Sequence, residues 1–143
     1  MRRRSRAREV ALQLLYEEDL NPTRPAEAVE EFLNQRLGGD VDLIQFARRL
    51  MGGVRRNRAE IDAALRSAAE HWTLERMAVI DRNVLRIGAY ELLYTDIPGQ
   101  VAINEAVELA KRYGGAQSPS FVNGILDRLL REFRGGPSPG GDR

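Results

Sequence analysis

One rhythm governs this chain: apolar residues return every three or four positions. Ala7, Val10, Ala11, Leu14 and Leu15 do so in the first segment, and Phe121, Val122, Ile125, Leu126, Leu129, Leu130 and Phe133 in the last. That spacing places side chains on one stripe of an α-helix, and no β-type alternating run competes with it. The expectation is an all-α protein, a compact bundle of about seven short helices. It forms a single domain over residues 1–134, since 143 residues hold one ordinary core and are too few for two.

Punctuation along the chain divides the helices. The first runs from about Ser5 to Asp19 and stops at Asn21-Pro22. A second begins near Pro25, with Val29, Phe32 and Leu33 on its buried stripe, and closes at Leu37-Gly38-Gly39. Asp40 or Asp42 caps a third, which carries Leu43, Ile44, Phe46, Ala47, Leu50 and Val54. Gly52-Gly53 weakens or bends it, at about 1 kcal/mol per glycine. Asn57 caps a fourth holding Ile61, Ala64, Leu65 and Ala68. Thr73 opens a helical stretch leading into IDRNVLRIGAYELLY. Beyond Pro98-Gly99, a sixth helix covers about Val101 to Tyr113, with Gly114 as a left-handed C-cap. Ser118 caps the last helix and Pro119 fills its first turn. Residues 135–143, GGPSPGGDR, cannot pack and are expected to be a disordered tail.

Composition removes several function classes. Cysteine is absent, which excludes disulfides and thiol nucleophiles, and His71 is the only imidazole. A metal site is therefore not expected, and His71 reads as a helix-end residue packed on Trp72. The glycine pairs lack the strand–loop–helix setting of a phosphate loop. Glu105 and Glu108 pair with Lys111 and Arg112 at helix-supporting spacings. Asn104 and Asn123 interrupt apolar faces and read as buried amides bridging helices. No catalytic residue and no cofactor are expected. No apolar run reaches membrane-spanning length, Glu9, Gln13, Glu17 and Glu18 break up any signal sequence, and a cytoplasmic protein is expected.

Charge is the informative asymmetry. Arg2, Arg3, Arg4, Arg6 and Arg8 crowd residues 2–8 without an acid, whereas residues 9–42 carry nine acids against Arg24 and Arg36. Lys111 is the only lysine, so density of arginine matters more than its identity. Cations at a helix start oppose the helix dipole. Their concentration asks for an external anion: a nucleic-acid backbone gripped by guanidinium forks, or an acidic protein surface. The polar loop GGAQSPS offers a second contact, with Phe121 at its margin able to stack on a base or to pack in the core.

Four stretches, RRRSRAREVALQLLY, VIDRNVLRIGAYEL, VAINEAVELAKRYG and FVNGILD, cover nearly the whole chain from Arg3 to Phe133. With the spacing between them, the sequence resembles the NusB family of bacterial transcription antitermination factors. The resemblance implies an all-helical protein without cofactors. It would bind the boxA element of nascent ribosomal-RNA leaders together with NusE, a small-subunit ribosomal protein, and so keep RNA polymerase resistant to termination. Some relatives are homodimers when alone. By the same resemblance, the basic arm (Arg2, Arg3, Arg4, Arg6, Arg8) and the segment of Gln117, Ser118 and Phe121 contact RNA, and Tyr16 and Asp81 face NusE. Asp81 also has an internal reading, as an ion pair with Arg76 or Arg82. Family members often carry an acid at the position of Gln117, so a neutral amide there implies tighter RNA binding before NusE arrives.

Two rivals accompany this reading. A NusB-like domain also precedes the catalytic domain of certain rRNA cytosine methyltransferases, and a chain ending at residue 143 is not expected to carry that second domain. The other is a purely protein-binding helical adaptor whose arm pairs with acidic surfaces.

Overall fold

A computed structural model describes residues 3–134; Arg2 and the expected tail at 135–143 lie outside them. The described residues form seven α-helices and one 3-10 turn, without a strand. The chain divides into two units, one ending at Arg56 and the other beginning at Asn57.

The first unit contains α1 (Arg3–Leu20), α2 (Ala26–Arg36) and α3 (Val41–Arg56), with α1 packed along α3 and both touching α2. Helix α1 is buried on every side from Ala7 to Leu12, which makes it a core helix rather than a surface one. It begins two residues before the expected Ser5, so the arginine-rich segment is helical from Arg3 onward. Helix α2 buries only Leu33; Phe32 lies half-buried beneath the guanidinium groups of Arg24 and Arg36. Its end is a Schellman-type turn, in which the Gly39 N–H donates to the Asn34 carbonyl at 3.0 Å. Gly38 and Gly39 take φ values of 62° and 72°, a region costly for any side chain. Asp40 then caps α3, its Oδ1 accepting the Leu43 N–H at 3.2 Å. Helix α3 runs unbroken through Gly52-Gly53.

The second unit holds α4 (Arg58–Ala68), the 3-10 turn at Leu74–Arg76, α5 (Val79–Tyr94), α6 (Gly99–Tyr113) and α7 (Ser118–Arg134). Helix α5 is its centre and packs on α4, α6 and α7. A Cβ on Gly88 would stand 2.5 Å from Leu126 and 3.3 Å from Ala106, so three helices converge where α5 has no side chain. Asp62 of α4 takes both prongs of Arg86 of α5, at 2.9 and 3.1 Å, in a buried bidentate pair. Asn83 steadies the same guanidinium at 3.3 Å. At the other end of α5, Arg134 donates to the carbonyls of Glu91, Leu92, Thr95 and Ile97. One cation thereby satisfies backbone acceptors that the helix end leaves open, at the negative pole of its dipole.

Several local expectations are corrected. The stretch from Thr73 is not continuous with α5: a 3-10 turn closes at Arg76, and extended Met77 and Ala78 separate it from the helix. Gly114 leaves α6 with φ −96° and ψ −173°, an extended and not a left-handed exit. Glycine is required there for space, because a Cβ would sit 2.6 Å from Ser118. Asn104 and Asn123 are exposed, not buried bridges. Asn104 falls on the outer side of α6 and accepts from Gln100 one turn earlier at 2.9 Å. Phe133 is likewise exposed.

Candidate nucleic-acid interface

Helix α1 has no acid in its first turn, yet it starts with arginines that its dipole repels. The fold offsets this with groups from α3 and from α1 itself. Arg3 pairs with Asp40, the residue that caps α3. Arg6 donates to Glu9 at 3.1 Å, and the guanidinium groups of Arg4 and Arg8 lie 4.7 and 5.1 Å from the centre of the Phe46 ring. Hydrogen bonding to Arg3, then to the Leu43 N–H, holds the Asp40 carboxyl below its ordinary range. The helix therefore presents Arg3 and Arg4 exposed and Arg6 partly so. Arg8 differs. It is only 4% exposed and turned inward, which removes it from the set that a phosphate can reach in this conformation.

Further along, Arg48 pairs with Glu30 and Arg55 with Glu18, so part of the second arginine cluster serves the first unit internally. Tyr16 is half-buried near the end of α1.

In the second unit, the loop between α6 and α7 forms one wall of a groove of about 730 Å³, with Trp72, Arg76, Met77 and Asp81 opposite. Gln117 is exposed at the lip, and its carbonyl accepts the first helical bond of α7, from Phe121 at 3.1 Å. Ser118 does not cap α7 as expected. Its Oγ points across the groove, accepting the Gly115 N–H at 2.9 Å and donating to Asp81 Oδ1 at 2.7 Å. The hydroxyl thus serves Asp81, whose expected internal partner was Arg76 or Arg82, and it is otherwise buried. Phe121 is half-buried at the loop margin and meets Trp72 edge to face, with ring centres 5.1 Å apart. Trp72 packs on Phe121 rather than on His71, which is exposed 3.9 Å from Glu70.

The structure thus brings Gln117, Ser118, Phe121 and Asp81 together at one groove and Arg3, Arg4 and Arg6 together on one helix start. Sequence reasoning missed Trp72 and Arg76 as groove residues. The joining of Ser118 to Asp81, 37 positions apart, leaves no signal in a single sequence. Among the described residues no cluster of His, Cys, Asp or Glu is placed to hold a metal ion, and no helix is long and apolar enough to cross a membrane.

Such an arrangement defines an all-helical binding protein with an arginine-rich helix start and a largely apolar, aromatic-edged groove. Comparison with known proteins makes the class specific. Residues 5–131 match the model of the NusB family. The transcription antitermination protein NusB of Myxococcus xanthus is 47% identical over 133 residues, spanning 88% of this chain and 93% of the relative. The crystal structure of NusB from T. maritima superposes with a TM-score of 0.79 at 40% identity, over 90% of this chain and 91% of that one. A NusB crystallised with NusE and double-stranded RNA superposes with a TM-score of 0.80 at 30% identity, over 93% and 99%. The chain belongs to the NusB family; it is an RNA-binding transcription antitermination factor and not an enzyme.

Proposed function

We propose that the chain binds the boxA element of nascent ribosomal-RNA leaders jointly with the ribosomal protein NusE, and so keeps the transcribing RNA polymerase resistant to termination. The observation that carries this reading is the set of exposed Arg3 and Arg4 and half-buried Arg6 at a helix start that has no acid of its own. Support also comes from the related NusB that crystallised with NusE and RNA. The three guanidinium groups grip phosphate oxygens, with Arg2 ahead of them on the chain, while Arg8 stiffens the segment from beneath by its contact with Phe46. Gln117, Ser118 and Phe121 supply a second RNA contact at the groove. Tyr16 and Asp81 face NusE, Tyr16 with rigid contact area and Asp81 with a charge for a partner cation. No chemistry occurs. Two modest RNA surfaces, one on each protein, act as one through effective concentration. The protein works in the cytoplasm.

A second reading has its own observation. Arg3 and Arg6 already pair with carboxylates, Asp40 and Glu9, the groups that an acidic protein surface would offer in their place. Titrating labelled leader RNA with and without NusE separates the two. The RNA reading expects saturable binding that NusE tightens at least tenfold. Equal, weak retention of boxA and scrambled RNA, with or without NusE, supports the adaptor.

A further inference from the structure

Trp72 is the only tryptophan of the chain and is 60% exposed. An aromatic of that size normally buries most of its surface, and here its ring meets Phe121 edge to face while most of the residue stays in solvent. At an interplanar angle of 83° the rings cannot cover one another, so a broad indole face stays open.

Trp72 also stands at a junction. The groove of about 730 Å³ and a second cleft of about 260 Å³ share three residues: Trp72, Ser120 and Phe121. Arg76 lines the first, is exposed, and makes no ion pair among the described residues. Arg128 lines the second and pairs with Glu70 at 2.7 Å. Gly124 also lines the second cleft, and the space that a Cβ would take there is open to 4 Å. A flat, open ring in a mostly apolar groove, with an exposed and unpaired guanidinium at the same groove, matches a nucleobase and the phosphate beside it. Stacking uses the π-face that every base has, and the cation takes the phosphate.

We infer that Trp72 is a base-stacking platform: one nucleobase of bound single-stranded RNA lies on its open face, with Arg76 holding the adjoining phosphate. This rests on the RNA-binding reading above and extends its track past Phe121 to a residue that the resemblance does not assign.

Because no other tryptophan exists, fluorescence of the intact chain excited at the red edge, where its tyrosines do not absorb, reports on this residue alone. Titration with a short single-stranded boxA RNA is expected to quench it saturably, with the midpoint that filter binding gives. Trp72→Ala should weaken binding about five- to hundredfold, the range of a base–aromatic stack, without altering the salt dependence. Trp72→Phe should restore most of the affinity. Arg76→Ala should lower the log–log salt slope by about 0.7, as loss of one phosphate contact does. RNA retained on the filter without quenching, and bound by Trp72→Phe and Trp72→Ala within twofold of the unaltered chain, overturns the stacking site and leaves the functional reading intact. Quenching by NusE alone and not by RNA overturns it in favour of a protein contact. Absence of RNA binding by the unaltered chain, with NusE present, sinks both.

Discussion

Ser118 at the start of α7 donates its hydroxyl to Asp81 in the first turn of α5 across 2.7 Å, and the same oxygen accepts the Gly115 N–H. The bond joins a residue proposed to meet RNA with one proposed to meet the protein partner. A partner cation that claims Asp81 competes for the oxygen that holds the α6–α7 loop.

Replacement of Asp81 by Asn separates the two roles. The amide oxygen still accepts from Ser118, so the RNA affinity of the isolated chain should stay within about twofold. The lost charge should weaken NusE binding by about 1.5–3 kcal/mol, the worth of a charge-assisted hydrogen bond. Calorimetric titration with each ligand in turn checks both halves.

Gln117 lies exposed at the groove lip, beside the proposed RNA contacts. Changing it to Glu adds a negative charge where phosphate must approach. Affinity for leader RNA should fall, most at low salt, where screening is weakest. Unchanged affinity of the isolated chain at low salt would remove Gln117 from the interface.

Gly88→Ala probes the packing of the second unit. The added methyl would press on Leu126, which is fully buried, so repacking is restricted. Overpacking of this kind costs about 1–3 kcal/mol. Urea denaturation followed by far-ultraviolet circular dichroism measures it.

Asp40 gives the first unit a pH dependence of known sign. Its folded-state pKa lies below the ordinary 3.8, through Arg3 first and the Leu43 N–H second. A depressed carboxylate stabilises the fold above its unfolded value, and that stabilisation is lost as pH falls through the folded one. The cap of α3 and its tie to α1 should therefore hold at neutral pH and weaken only below about pH 4. Carboxyl-carbon titration by NMR reads the value; Arg3→Ala should raise it.

Helix spans were legible because their signal is local. The three-and-four spacing of Val10, Leu14 and Leu15 marks α1, and Gly38-Gly39 and Asp40 mark the joint before α3. The inward turn of Arg8 was also encoded, since Leu12 and Leu15 continue its stripe, but a run of arginines hides which member points in. Gly114 was readable as a helix end, whereas its extended exit depends on Ser118 four residues later. The Arg86–Asp62 pair and the Trp72–Phe121 contact join residues 24 and 49 positions apart, a separation that periodicity cannot bridge. Of the candidate site, the arginines and loop residues were visible by type. That the loop residues share a groove with Asp81 and Trp72 came only from the fold.

The central claim is that exposed guanidinium groups at the start of α1 hold an RNA backbone. Filter binding of boxA RNA across a salt series, by the full chain and by a variant with Arg3, Arg4 and Arg6 all changed to Ala, tests it most directly. Three lost phosphate contacts should reduce the log–log salt slope by about 2, from about 0.7 per contact, and cut affinity at low salt by more than tenfold. An unchanged slope and unchanged retention by the variant would contradict the account.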